Sequence, residues 1–92
     1  MEIAQARDFA GRALALDSSL ADAHVSLAHI LFVYDFDWKA AEREFRRATA
    51  LDPGYSFGRM AFSMCLMAQA RFDEAAAQLD TAHAADPLAA AV

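Results

Sequence analysis

Apolar and polar positions along the chain follow a helical period almost throughout, and alternation of the kind a half-buried strand needs is weak. Five helices are predicted. In the first, over about residues 3–16, Ala6, Ala10 and Ala13 recur at helical spacing with Leu14 beside them. The second, over about 20–34, carries two stripes: His24, Leu27, Ala28 and Leu31 on one side, and Val25, His29, Phe32 and Val33 on the other. A helix apolar on two faces is covered from two sides. The third spans about 38–50, with Trp38, Ala41, Phe45 and Ala48 inward and Lys39, Glu42, Arg43, Glu44, Arg46 and Arg47 on its other faces. Asp37 is placed to cap it, since a short carboxylate accepts from the free amides of a first helical turn. The fourth, over about 55–69, again shows two faces: Phe62, Cys65 and Leu66 on one, and Phe57, Met60, Met64 and Met67 on the other. The fifth covers about 72–85, with Phe72, Ala75, Leu79 and Ala82 inward. Residues 88–92 read either as the stub of a sixth helix or as a frayed end.

These helices recur in register. A marker ending in Leu-Asp-Ser, Leu-Asp-Pro or Ala-Asp-Pro stands at residues 16–18, 51–53 and 85–87, so that Asp17, Asp52 and Asp86 lie 35 and 34 positions apart. A period of this length means stacked hairpins, each too small to bury its own apolar face. Pro53 and Gly54 close one unit in the order a helix end requires.

The spacing resembles the tetratricopeptide repeat, whose unit pairs two antiparallel helices, A and B, in about 34 residues. The stretch from Ser56 to Ala89 fits without a gap through Phe62-Ser63, Leu66, the segment Arg71 to Ala75, Leu79, Ala82 and Pro87. An earlier unit, from Ala21 to Tyr55, matches at Leu27-Ala28, Leu31, Trp38, Ala41, Phe45, Ala48 and Pro53, with one extra residue within Tyr34 to Asp37. Residues 1–20 resemble the helix B of a unit whose helix A is missing. The resemblance implies an all-α fold, an α–α superhelix of tetratricopeptide-type hairpins, right-handed, in one domain over 1–92: a partial repeat at 1–20, repeats at 21–55 and 56–89, and a tail at 90–92. Arg59 departs from the large residue usual early in helix A. The glycine usual between the helices is Ala70 in one unit and absent near Asp35-Phe36 in the other, which leaves the turn geometry open. Residues 34–48 are further similar to repeats found in bacterial multidomain regulators. Because the sequence begins halfway through a unit and lacks the polar capping helix of terminal repeats, the expectation is either a piece of a longer protein or open ends that meet another copy.

In this family the helices A line a concave face that holds peptides. Carried onto this chain, the groove residues are Val25, His29, Phe32 and Val33 from one unit and Phe57, Met60, Met64 and Met67 from the next, with Asp22 and Ala68 at the margins. Members that clamp a terminal carboxylate place Lys, Asn and Arg there; this chain does not. Its apolar, methionine-rich face suits an adaptable surface for a helix or extended apolar segment. The alternative is that the same residues pack on neighbouring repeats or on another copy, through the open ends of the array.

The remaining composition narrows the choice. With 8 Lys and Arg against 13 Asp and Glu, the net charge of -5 disfavours nucleic acid and anionic membrane as partners. No segment reads as a signal peptide or a membrane span, and the single cysteine, Cys65, forms no internal disulfide, so cytoplasmic residence is the default. His24 and His29 are five apart rather than three or four, which speaks against a metal site; His24 is expected between helices and His29 as a polar contact in the groove. Cys65 reads as a small core residue, and no phosphate loop or nucleophile motif is present. The basic residues of the third helix read as a solvated face, with an anion site as the alternative, and Glu42 is spaced to pair with Arg46. The expectation is a protein- or peptide-binding scaffold without catalysis or cofactor, with self-association as the alternative role.

Overall fold

The computed structural model describes residues 3–85, in five helices: α1 (Ile3–Leu16), α2 (Ala21–Val33), α3 (Trp38–Leu51), α4 (Ser56–Ala68) and α5 (Phe72–Ala85). No strand occurs among the described residues. The 88–92 stub and the unit boundary after Ala89 lie outside them.

Helices α2 and α3 form one hairpin and α4 and α5 the next. Helices α2 and α4 each pack against three others, α2 on α1, α3 and α4, and α4 on α2, α3 and α5, whereas among the described residues α5 packs on α4 alone. This explains two departures from the expected inward faces. Ile30 is buried on α2 although it belongs to neither apolar stripe, because a helix with three neighbours uses more than two faces. Conversely, Phe72 and Leu79 on α5 are 63% and 39% exposed, because among the described residues no helix covers the outer side of α5.

The core runs unbroken across both hairpins. Phe45 of α3 stacks on Phe62 of α4, with ring centroids 5.4 Å apart and planes 10° off parallel. Around this stack lie Ala28, Ala41, Ala48, Cys65, Leu66 and Ala75, all buried. Small side chains let helices approach closely, and the stack supplies the apolar area that alanines lack. His24 is buried as well: its Nε2 donates to the carbonyl of Ser18 at 2.8 Å and its Nδ1 lies 2.5 Å from Glu44 Oε2, so the side chain joins the α1–α2 turn to α3.

The helix ends follow local chemistry where it exists. Asp37 caps α3 by accepting from the Ala40 amide at 3.2 Å. By contrast, α2 and α4 start at Leu20 and Tyr55 with no side-chain cap, so tertiary packing holds their first turns. At the end of α4 the amide of Arg71 donates to Leu66 and that of Ala70 to Met67, the paired bonds that end a helix with one left-handed residue. That residue is Ala70, with φ 58°, and its counterpart in the earlier unit is Phe36, with φ 55°. The extra residue there is absorbed in the turn, where the Asp37 amide reaches back to Leu31.

Candidate functional site

A hollow lies along α2, between the first half of α1 and the start of α4. Its volume is about 510 Å³. Ile3 and Ala6 of α1, then Asp22, Val25, Ser26, His29 and Ile30 of α2, form the bed and one wall; Tyr55, Phe57 and Ala61 form the other, with Tyr34 at one end. Helical spacing accounts for the α2 set, since positions 22, 25, 26 and 29 repeat at three and four along one face.

The approach of α4 to α2 depends on Gly58. A Cβ there would stand 3.0 Å from Val25 Cγ2 and 3.1 Å from Tyr55 Cδ2, closer than side chains settle. Without one, the Tyr55 and Phe57 rings sit tilted at 6.2 Å on the groove wall. Burial, and then the Asp22 and Asp52 carboxylates, push the Tyr55 hydroxyl up from its ordinary range, so it stays protonated. At the Tyr34 end, Arg7 donates twice to Asp35, at 2.5 and 2.8 Å, which ties α1 to the α2–α3 turn. The guanidinium holds the Asp35 carboxyl below the usual carboxylate range.

Of the eight groove residues expected from the sequence, the hollow brings together Val25, His29 and Phe57. Val25 is buried in its floor, and His29 and Phe57 are exposed at its rim. Phe32 instead turns toward α3, where its ring packs against Trp38 with centroids 6.3 Å apart. Val33 ends α2 at the surface. Met60 is half-buried on α4, and Met64 and Met67 are 52% and 44% exposed on the same helix, outside the lining of the hollow. The residues that a reading confined to helices A does not reach are Ile3 and Ala6, contributed by α1, and the turn residues Tyr34 and Tyr55. A signal for the last was present: an aromatic directly after Pro53-Gly54 and ahead of a helical glycine marks a close crossing.

The arrangement offers apolar contact and a few hydrogen-bonding groups. Cys65 is fully buried away from the hollow, and burial pushes its thiol up from its ordinary value. Among the described residues no group of three potential ligands gathers to hold a metal ion, and no helix is long and apolar enough to cross a membrane.

The sequence profile of the tetratricopeptide repeat matches residues 32–92. Among solved structures, the chain is similar to that of YrrB, described as a TPR protein with an unusual peptide-binding site. The two share 20% identity and superpose with a TM-score of 0.78 over 92% of this chain. The chain spans 43% of the length of that structure. No curated protein matches the chain significantly.

Proposed function

Because the chain belongs to the tetratricopeptide repeat family, we propose that it is a protein-binding scaffold that takes a partner peptide in the hollow along α2. The observation that carries this reading is the hollow itself. Its volume of about 510 Å³ falls in the range of about 300–1,000 Å³ typical of ligand sites. Val25, Ile30 and Ala61 offer a seat for an apolar side chain, while Asp22, Ser26, His29 and the Tyr55 hydroxyl offer partners for a peptide backbone. The peptide-binding site ascribed to YrrB, a protein of the same fold, supports the same class of partner.

A peptide library selected on the immobilised chain tests this. Selected peptides should lose at least about tenfold in affinity, close to 1.4 kcal/mol, on Phe57→Ala or Ser26→Arg, with helicity unchanged. Selection of no peptide, or equal binding to both variants, would defeat the proposal.

Exposed apolar side chains on the two outer helices, Phe9 and Leu16 on α1 and Phe72 on α5, favour self-association as a second role. Light scattering over a concentration series decides it: a mass that stays monomeric at high concentration removes that role and leaves the groove.

A further inference from the structure

A second site lies on the opposite hairpin layer and shares no lining residue with the hollow along α2. Glu42 and Arg43 lie three and four positions after Lys39, and Arg46 lies four and three after them, so the four occupy one face of α3. The α4–α5 turn brings Gln69 and Arg71 against that face, and the six residues enclose a cleft of about 360 Å³.

The Glu42 carboxylate sits at its centre. Arg71 Nη1 donates to Oε1 at 2.5 Å, and Arg46 donates to Oε2 through Nε at 3.0 Å and Nη2 at 2.8 Å. Arg46 is pinned again from below, with its guanidinium carbon 5.2 Å from the centroid of the Phe62 ring. Arg71 is also paired with Glu74, and Gln69 Oε1 lies 3.4 Å from its Nη1. Two guanidinium groups are thus held in place before any ligand arrives, which lowers the ordering cost of binding. The other two cations are uncompensated. Among the described residues, neither Lys39 nor Arg43 takes part in any of the ion pairs, which involve Arg7, Arg12, His24, Arg46 and Arg71.

The surrounding charge selects the ligand. The chain as a whole carries -5, so this cleft is a positive island on a negative molecule. Duplex DNA bears a charge every ~1.7 Å and would run past the island into repulsion. A short anionic segment keeps its charges over the island, within the Debye length of about 8 Å at physiological salt. We propose that the cleft between α3 and the α4–α5 turn binds an acidic peptide segment, with its carboxylates on Lys39 and Arg43 beside the Glu42-held guanidinium groups of Arg46 and Arg71.

Fluorescence anisotropy with a labelled glutamate-rich peptide and its glutamine counterpart, titrated with the full chain, tests the assignment. The glutamate peptide should bind and the glutamine peptide should not, with affinity falling as salt is raised. Lys39→Glu combined with Arg43→Glu should weaken binding at least about tenfold. Glu42→Gln keeps the side-chain shape and removes the central negative charge, so it should strengthen binding about threefold. Phe57→Ala, in the other hollow, should leave it unchanged. Circular dichroism confirms that each variant is folded. Equal binding of the two peptides, indifference to the double reversal, weakening by Glu42→Gln, loss with Phe57→Ala, or tighter binding of duplex DNA of equal charge would each overturn the proposal.

Discussion

Replacing Ala70 by glycine should stabilise the fold, although it removes a methyl group and touches no core residue. Ala70 holds φ 58°, in the left-handed region, because the chain must reverse there while the amides of Ala70 and Arg71 satisfy Met67 and Leu66. An L-residue in that region costs about 1–2 kcal/mol through contact between its Cβ and the following carbonyl. Glycine removes that contact but gives the unfolded chain more freedom, worth about 0.5–1 kcal/mol in the opposite direction. Ala70 is exposed, so little burial is lost. The difference is a gain centred near about 0.75 kcal/mol, within a span of about 0–1.5, or roughly 3–6 °C in melting temperature for a domain of this size.

Urea and thermal unfolding followed by far-UV circular dichroism measure this directly. The internal control is Ala76→Gly, at an exposed position inside α5, which should lower stability by about 0.8–1 kcal/mol because glycine there weakens a helix interior. The two substitutions are chemically identical and should move stability in opposite directions. If Ala70→Gly destabilises the chain as Ala76→Gly does, the left-handed turn is not the strained element described here.

Two further outcomes follow from the core and the surface pairs. Phe45→Ala removes half of the stacked pair at the centre of the array and should cost about 3–5 kcal/mol, a large share of the roughly 5–14 kcal/mol expected at about 0.05–0.15 kcal/mol per residue, so the urea midpoint should fall by at least about 1 M. Glu42 is held below the ordinary carboxylate range first by Arg71 and then by Arg46. The unfolded chain therefore takes up its proton first as pH falls, and this stabilising contribution is complete above about pH 4.5 and lost progressively below it. Glu42→Gln should accordingly be less stable than the parent at neutral pH and converge with it in acid, as unfolding midpoints across a pH series will show.

The helices were legible from their apolar period, most sharply where independent signals coincide with it. Around α3 the apolar period, the Asp37 cap and the Pro53-Gly54 stop agree, and the helix runs from Trp38 to Leu51. The left-handed turns were half legible: the repeat pattern marks where glycine is usual, and Ala70 and Phe36 adopt the glycine-like conformation without being glycine. What did not follow from the sequence was which face of a helix meets which neighbour. Phe32 and His29 belong to one apolar stripe, yet Phe32 goes to Trp38 and His29 to the hollow. Periodicity assigns residues to a face but not to a partner, because the crossing of α2 with α1, α3 and α4 depends on side chains from all four. Ile3 and Ala6 enter the hollow for the same reason, through the seating of α1 on α2.

The placement of apolar surface follows from the size of the core residues. Ala28, Ala41, Ala48, Ala75 and Ala82 are buried almost completely. Each contributes less apolar area than a leucine would, at about 25 cal/mol per Å² removed from water. Helices that cross on alanine come close together, and larger side chains flanking the crossing have no room between them. On α4 the larger apolar side chains Phe57, Met64 and Met67 lie on the outward side, all exposed. These groups are flexible or aromatic, types that gain most from cover by a partner. Closeness of packing inside and apolar area outside are thus two consequences of one composition. Larger residues at the alanine crossings would push α2 and α4 apart and widen the hollow along α2. A partner surface on this chain is therefore coupled to its core, and a larger residue at Ala28, which is buried and does not line the hollow, should alter peptide binding there without touching the peptide.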